Sequence, residues 1–260
     1  VCTAFVSVDP HSATPVLLLA ARDGDTARGW LPPGRHWPER PGVVGGRDLL
    51  AGGTWLAVGS VDESPWRMAC LLNAVGPAAP AEVHRSRGEL PLLALGEEGI
   101  GGLDLAHYDP FHLIRARPAE VQLLSWNGGE LRTRLLGPGL HVVANDGLDG
   151  QADSLGPGDD VPVTAARAAL LRPRLTADAR PEPAPGAAPT ALAWGGWLGI
   201  ADDEAVFVHR PQFSEGLWWG TTSLSLVALG RTAIRYDFNP RPGDRSSWYQ
   251  VDLGTPATRH

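Results

Sequence analysis

A chain of 260 residues, 43% hydrophobic, can bury one large core, and one sheet-rich domain over 1–260 is the expectation. The net charge is −7, and all 22 basic residues are Arg scattered among acids. Without a concentrated basic face, neither nucleic acid nor an anionic membrane surface is an expected partner.

Two cysteines, Cys2 and Cys70, make no disulfide framework. No apolar run reaches the length of a transmembrane helix, so no membrane insertion is expected. The first twenty residues lack a basic leader, and Asp9-Pro10-His11 interrupts their apolar run, unlike a signal peptide. The expected compartment is the cytoplasm.

Cys2–Val8 is apolar and β-branched and predicts a strand; Asp9–Ser12 supplies a turn, and Pro15–Ala21 a second strand. Gly29–Arg47 is rich in Pro and Gly and reads as loop. Gly52–Gly59 and Arg67–Ala74 read as paired strands. Ser86 with Glu89 has capping-box spacing, predicting a helix over Ser86–Leu95.

Four short strands follow, at His112–Arg115, Val121–Trp126, Glu130–Leu135 and Leu140–Val143, with a hairpin turn at Asn127-Gly128-Gly129. Ala165–Leu171 reads as helix. The Pro/Ala-rich segment 173–189 reads as extended or flexible. Strands close the chain at Ala205–His209, Ser223–Leu229 and Ala233–Phe238. Many strands and few helices give an α+β class with sheet packed on sheet.

Cys2 carries the chemistry. The Ala, Gly, Pro and Arg bias suggests GC-rich codon usage, in which Val1 reads as a GUG start translated as Met. Removal of that Met leaves Cys2 with a thiol and a free α-amine, the equipment of an N-terminal nucleophile. The amine, with an ordinary pKa of about 7.7–8.0, can take the thiol proton. Arg22 and Asp23, at the end of the second strand, offer a cation for the thiolate and a carboxylate for the ammonium. Neighbours on a strand point to opposite faces, so both reach Cys2 only across a local bend, and Asp25 is an alternative carboxylate.

The segments Ala21-Arg22-Asp23-Gly24, Gly52-Gly53-Thr54-Trp55-Leu56, Leu71-Leu72-Asn73 and Arg85-Ser86-Arg87-Gly88-Glu89-Leu90 together resemble the NRDE, or TANGO2, family. Ala144-Asn145 and Trp219-Gly220-Thr221-Thr222 resemble its later motifs. Ala21 and Gly24 stand where the family has Asn and Glu, and Thr222 where it has Arg. The stretch from Gly147 to Pro189 is unmatched.

The resemblance implies a four-layer αββα sandwich like that of the Ntn hydrolases. It implies Cys2 as nucleophile, with Arg22 and Asp23 polarising and orienting it. Asn73 would be an oxyanion-hole donor, and Asn145 would orient the N-terminal group. It also implies an acyl, amide or haem-like small molecule as ligand. The activity would be an amide or thioester hydrolase or acyltransferase, or else non-catalytic haem or lipid handling in the same pocket. Hydrolysis would need no cofactor.

The eight His show no metal spacing, and no metal is expected. His84, His141, His209 and Cys2 are the candidate ligands should haem be the cargo. Trp55, Trp66, Trp194, Trp197, Trp218 and Trp219 read as packing residues.

Overall fold

The computed structural model describes residues 3–60, 66–152, 161–186, 188–211 and 218–254. In chain order the first half holds β1 (Thr3–Val8), β2 (Val16–Asp25), β3 (Trp30–Gly34), β4 (Val43–Asp48), β5 (Leu56–Gly59), β6 (Arg67–Asn73), the short helix α1 (Leu90–Ala94), β7 (Phe111–Arg117), β8 (Glu120–Trp126) and β9 (Leu131–Leu135). The second half holds β10 (Gly139–Ala144), β11 (Gly147–Leu148), β12 (Gln151–Ala152), α2 (Val161–Ala177), α3 (Thr190–Trp194), α4 (Gly196–Ala201), β13 (His209–Pro211), β14 (Trp218–Leu229), β15 (Ile234–Asn239) and β16 (Tyr249–Gln250).

These strands form two antiparallel sheets, an α+β fold. The first runs β12-β11-β10-β1-β2-β14-β15-β16, with β13 on β14; the second runs β3-β4-β5-β6-β7-β8-β9. Alternation along the strands sorts apolar side chains onto opposite faces. Ala4, Val6, Leu18, Ala20 and Val227 meet Leu56, Met68, Cys70, Leu72 and Ile114 of the second sheet. Phe5, Leu17, Leu19 and Leu226 turn the other way, onto Leu171, Leu175, Trp194 and Trp197 of the helices. Ala69, Leu71, Phe111 and Leu113 of the second sheet pack against Leu90, Leu92 and Ala94 of α1.

Several expectations are corrected. The Gly29–Arg47 stretch is not all loop: it holds β3 and most of β4. Pro32 and Pro33 fit β3 because it is an edge strand, where missing N–H groups break no ladder. The predicted strand at Ala205–His209 begins instead with a 3-10 turn over Glu204–Val206, opened by Asp203, whose carboxylate accepts the Ala205 N–H.

Ser86 does cap, its hydroxyl accepting from Gly88 N, but the helical stretch is a single 3-10 turn followed by α1. Glu89 serves Arg85 and the Tyr108 hydroxyl rather than a capping box. The helix α2 continues through Pro173 to Ala177.

Beyond α2 the Pro/Ala segment is fastened down. Arg180 donates to the Ser7 and Ser12 hydroxyls and to Thr14 O, Glu182 accepts from Ser12, and Arg235 donates to Ala184 O and Ala188 O. The anchor of that end is a fully buried pair. Arg235 binds Asp237 through Nε and Nη2 at 2.7 and 2.9 Å, and Thr190 Oγ1 and Trp194 Nε1 donate to the same carboxylate at 2.6 and 2.8 Å. Among the described residues no helix is long and apolar enough to cross a membrane.

Candidate active site

Thr3 pairs with Ala21 of β2 on one side and Ala144 of β10 on the other. The next residue on each partner strand is a candidate: Arg22 follows Ala21, and Asn145 follows Ala144. Both are buried. They therefore flank the point at which the chain enters β1.

Arg22 turns into the layer between the sheets. Its guanidinium lies 4.4 Å from the Trp55 ring centroid and 5.8 Å from that of Trp30, a cation–π arrangement on two aromatic faces. Nη1 donates to Thr222 Oγ1 at 2.6 Å, and the same hydroxyl donates to the Arg22 carbonyl at 3.1 Å. The register of β2 on β14 explains how Thr222 reaches it. Asp23 is opposite Thr221 and Arg22 opposite Ser223, so Thr222 is the extra residue of a bulge. Thr222, standing where the resemblance led us to expect Arg, is thus a ligand of Arg22.

Asp23 faces the opposite way, toward the helices, as strand alternation requires. Arg167 of α2 grips it with both terminal nitrogens, at 2.7 and 2.9 Å, and both side chains are only 1% exposed. Arg167 also donates to Thr3 Oγ1 at 3.0 Å and Thr221 Oγ1 at 3.2 Å, while Thr221 donates to Asp23 at 2.6 Å. The sequence reading missed Arg167. Its available signal was helical phase: Thr164, Arg167, Leu171 and Leu175 share one buried stripe of α2.

Asp48 closes the inter-sheet side. Arg28 binds it bidentately at 2.6 and 3.0 Å, and Arg22 stands 3.9 Å away. Burial alone would raise the Asp48 pKa. The Arg28 hydrogen bonds, the Ala51 amide and the charges of Arg28 and Arg22 outweigh it and hold the carboxyl below its ordinary 3.8. The folded state then binds the proton less readily than the unfolded chain, so this contribution is present above the unfolded value and lost as pH falls through the folded one. Asp48→Asn should lower the urea midpoint by a constant amount from about pH 7 to pH 5, and the gap should close below about pH 4. A gap unchanged at pH 3 would refute the assignment.

The two glycine-bearing motifs support the Trp55 wall. Thr54 N donates to Gly88 O at 2.8 Å, joining Gly52–Trp55 to Arg85–Leu90. A Cβ at Gly53 would sit well under 3.0 Å from the Gly88 carbonyl, and one at Gly46 would strike the Trp55 ring.

The remaining candidates are dispersed. Asn73 is exposed at the end of β6, paired with Phe111, on the face that packs toward α1 rather than toward Arg22. Asp25 accepts from Ala27 N in the turn after β2. Cys2 lies outside the described residues. Cys70 is wholly buried between the sheets, and burial pushes its thiol up to about 12.

His84 pairs with Asp109, His141 with Asp149 and Gly137 O, and His209 stacks on Trp218 at 4.6 Å. No group of three or more His, Cys, Asp or Glu side chains is arranged to hold a metal among the described residues. Trp55, Trp194 and Trp197 are buried as expected of packing residues, whereas Trp218 is 43% exposed.

The family model described as "Transport and Golgi organisation 2" matches residues 1–157. No curated protein matches the chain.

Proposed function

We propose, from the premise that this chain belongs to the TANGO2 family, that it is a cysteine-dependent amide or thioester hydrolase or acyltransferase with Cys2 as its N-terminal nucleophile. The observation that carries the reading is the convergence on the start of β1. A buried cation, Arg22, and a buried amide, Asn145, follow the two residues that pair with Thr3, and Cys2 is the residue before Thr3. The order of the three cores supports the finer fold reading, helices and α1 outside two facing sheets in the Ntn manner. A free thiol at this position suits a reducing compartment, the cytoplasm.

In this mechanism the α-amine of Cys2 takes the thiol proton, directly or through a water, and the sulfur attacks the acyl carbon. A C–S bond forms, the carbonyl π electrons move to oxygen, and the tetrahedral anion collapses with loss of the amine or thiol. The α-ammonium returns the proton to that leaving group. Water, or an acceptor nucleophile, then releases the acyl group from sulfur. Arg22 favours the thiolate by its charge. Asn145 orients the terminal amine, whereas Asn73, exposed on the outer face of β6, takes no oxyanion role in this mechanism.

Cys2→Ala should abolish turnover of N-acyl amides and acyl thioesters by at least about a thousandfold and remove the acyl adduct seen by intact mass. The same mass measurement must show Cys2 as a free, unacetylated N-terminus. Turnover surviving in Cys2→Ala, or a blocked terminus on an active protein, would sink the reading.

A further inference from the structure

We propose that Arg167 is a positioning residue for the chemistry at Cys2, acting through Asp23 and Thr3 from outside the family-matched residues 1–157. The inference rests on the reading of Cys2 as nucleophile. An Arg in the buried stripe of α2 must surrender its hydration, whereas an apolar residue there would pack onto the sheet without that cost. Among the described residues, four hydrogen bonds of Arg167 go to one cluster: both oxygens of Asp23, the Thr3 hydroxyl and the Thr221 hydroxyl.

Thr3 is the link. Its backbone is held between β2 and β10, its side chain is held by Arg167, and Cys2 is the next residue along the chain. Arg167 thereby fixes the orientation of the first described residue of β1. It also neutralises Asp23. Among the described residues, the charged groups around this strand end include Arg22, Arg28 and Asp48 on the inter-sheet side, Asp25 near Arg28, and Asp23 and Arg167 on the helix side. With Arg167 present, the Asp23 charge is balanced on the helix side, while Arg22, itself 3.9 Å from Asp48, supplies the cation on the inter-sheet side. Without Arg167, the cluster loses one positive charge while Asp23 keeps its negative one, and a thiolate nearby is disfavoured.

The test is iodoacetamide alkylation of the full chain against pH, read by mass. Burial of Cys70 leaves Cys2 as the cysteine the native protein can label. Urea unfolding runs alongside. Wild type should alkylate with a midpoint below the free-thiol value of about 8.5. Arg167→Met should raise that midpoint by about one unit and slow labelling at pH 7 roughly tenfold. Arg167→Met with Asp23→Asn should return most of the shift, because both charges go together. Arg167→Lys, which keeps the charge but not the two-pronged grip, should fall between.

If Arg167→Met unfolds at lower urea but keeps the wild-type midpoint, Arg167 is structural only and the proposal fails. If the Met variant does not fold, the Lys variant decides, and an unmoved midpoint overturns the proposal. A wild-type Cys2 that labels with a midpoint near 8.5, no faster than in urea, overturns the nucleophile reading itself. That result is visible before any variant is made.

Discussion

Asp237→Ala is expected to remove about 3–5 kcal/mol of folding stability, because it leaves the fully buried Arg235 guanidinium without its carboxylate. The loss is larger than the pair alone. Asp237 also accepts from Thr190 and Trp194, so α3 loses both of its polar ties to β15. For a chain of this size, the melting temperature should fall on the order of 10 °C. The decisive control removes both charges. Arg235→Met with Asp237→Leu should recover the part due to the unpaired guanidinium but not all of it, because the Thr190 and Trp194 donors and the Ala184 and Ala188 carbonyls stay without these partners. Thermal melts of wild type and the two variants measure it. An Asp237→Ala protein as stable as wild type would show that solvent reaches Arg235.

Gly53→Ala is the second large effect. The added methyl would overlap the carbonyl carbon and oxygen of Gly88, both backbone atoms that no rotamer change can move aside. One strand of the contact must retreat, which breaks the Thr54 N to Gly88 O bond and shifts Trp55. Overpacking of this kind costs about 1–3 kcal/mol, with the upper end expected against backbone. Because Trp55 covers Arg22, indole fluorescence should change along with the denaturation midpoint. Gly88→Ala should be milder, since its methyl would meet Gly53 Cα at 3.2 Å. Equal effects at the two glycines would contradict this ordering.

Much of the sheet framework was legible because alternating apolar residues and strong turns mark it locally. The strands β7, β8, β9 and β10 emerged from β-branched runs and from Asn127-Gly128-Gly129, where the Asn127 carboxamide oxygen accepts from Gly129 and Glu130 and Gly128 takes a φ of 95°. The strands β3 and β4 were hidden because their Pro and Gly are tolerated for tertiary reasons: an open edge for Pro32 and Pro33, the Trp55 ring for Gly46. The helices α3 and α4 are short and meet at Gly195. They rest on Trp194, Trp197 and the Asp237 carboxylate rather than on propensity. Of the site, Arg22 and Asp23 were visible as charges at a strand end. Arg167 was marked only by its helical phase, because its bond to Asp23 spans 144 residues and the sequence does not show what it pairs with.

The position of β14 beside β2 means that the border drawn by sequence similarity cuts through a hydrogen-bonded ladder. A fragment stopping at residue 157 would keep β2 but lose its partner, turning a central ten-residue strand into a bare edge. That strand begins Val16-Leu17-Leu18-Leu19-Ala20-Ala21, with no charge before Arg22 to discourage another chain from pairing with it. Such an edge is a template for aggregation. The segment shared with the family is therefore not a portable module, and its solubility depends on residues the family model does not reach.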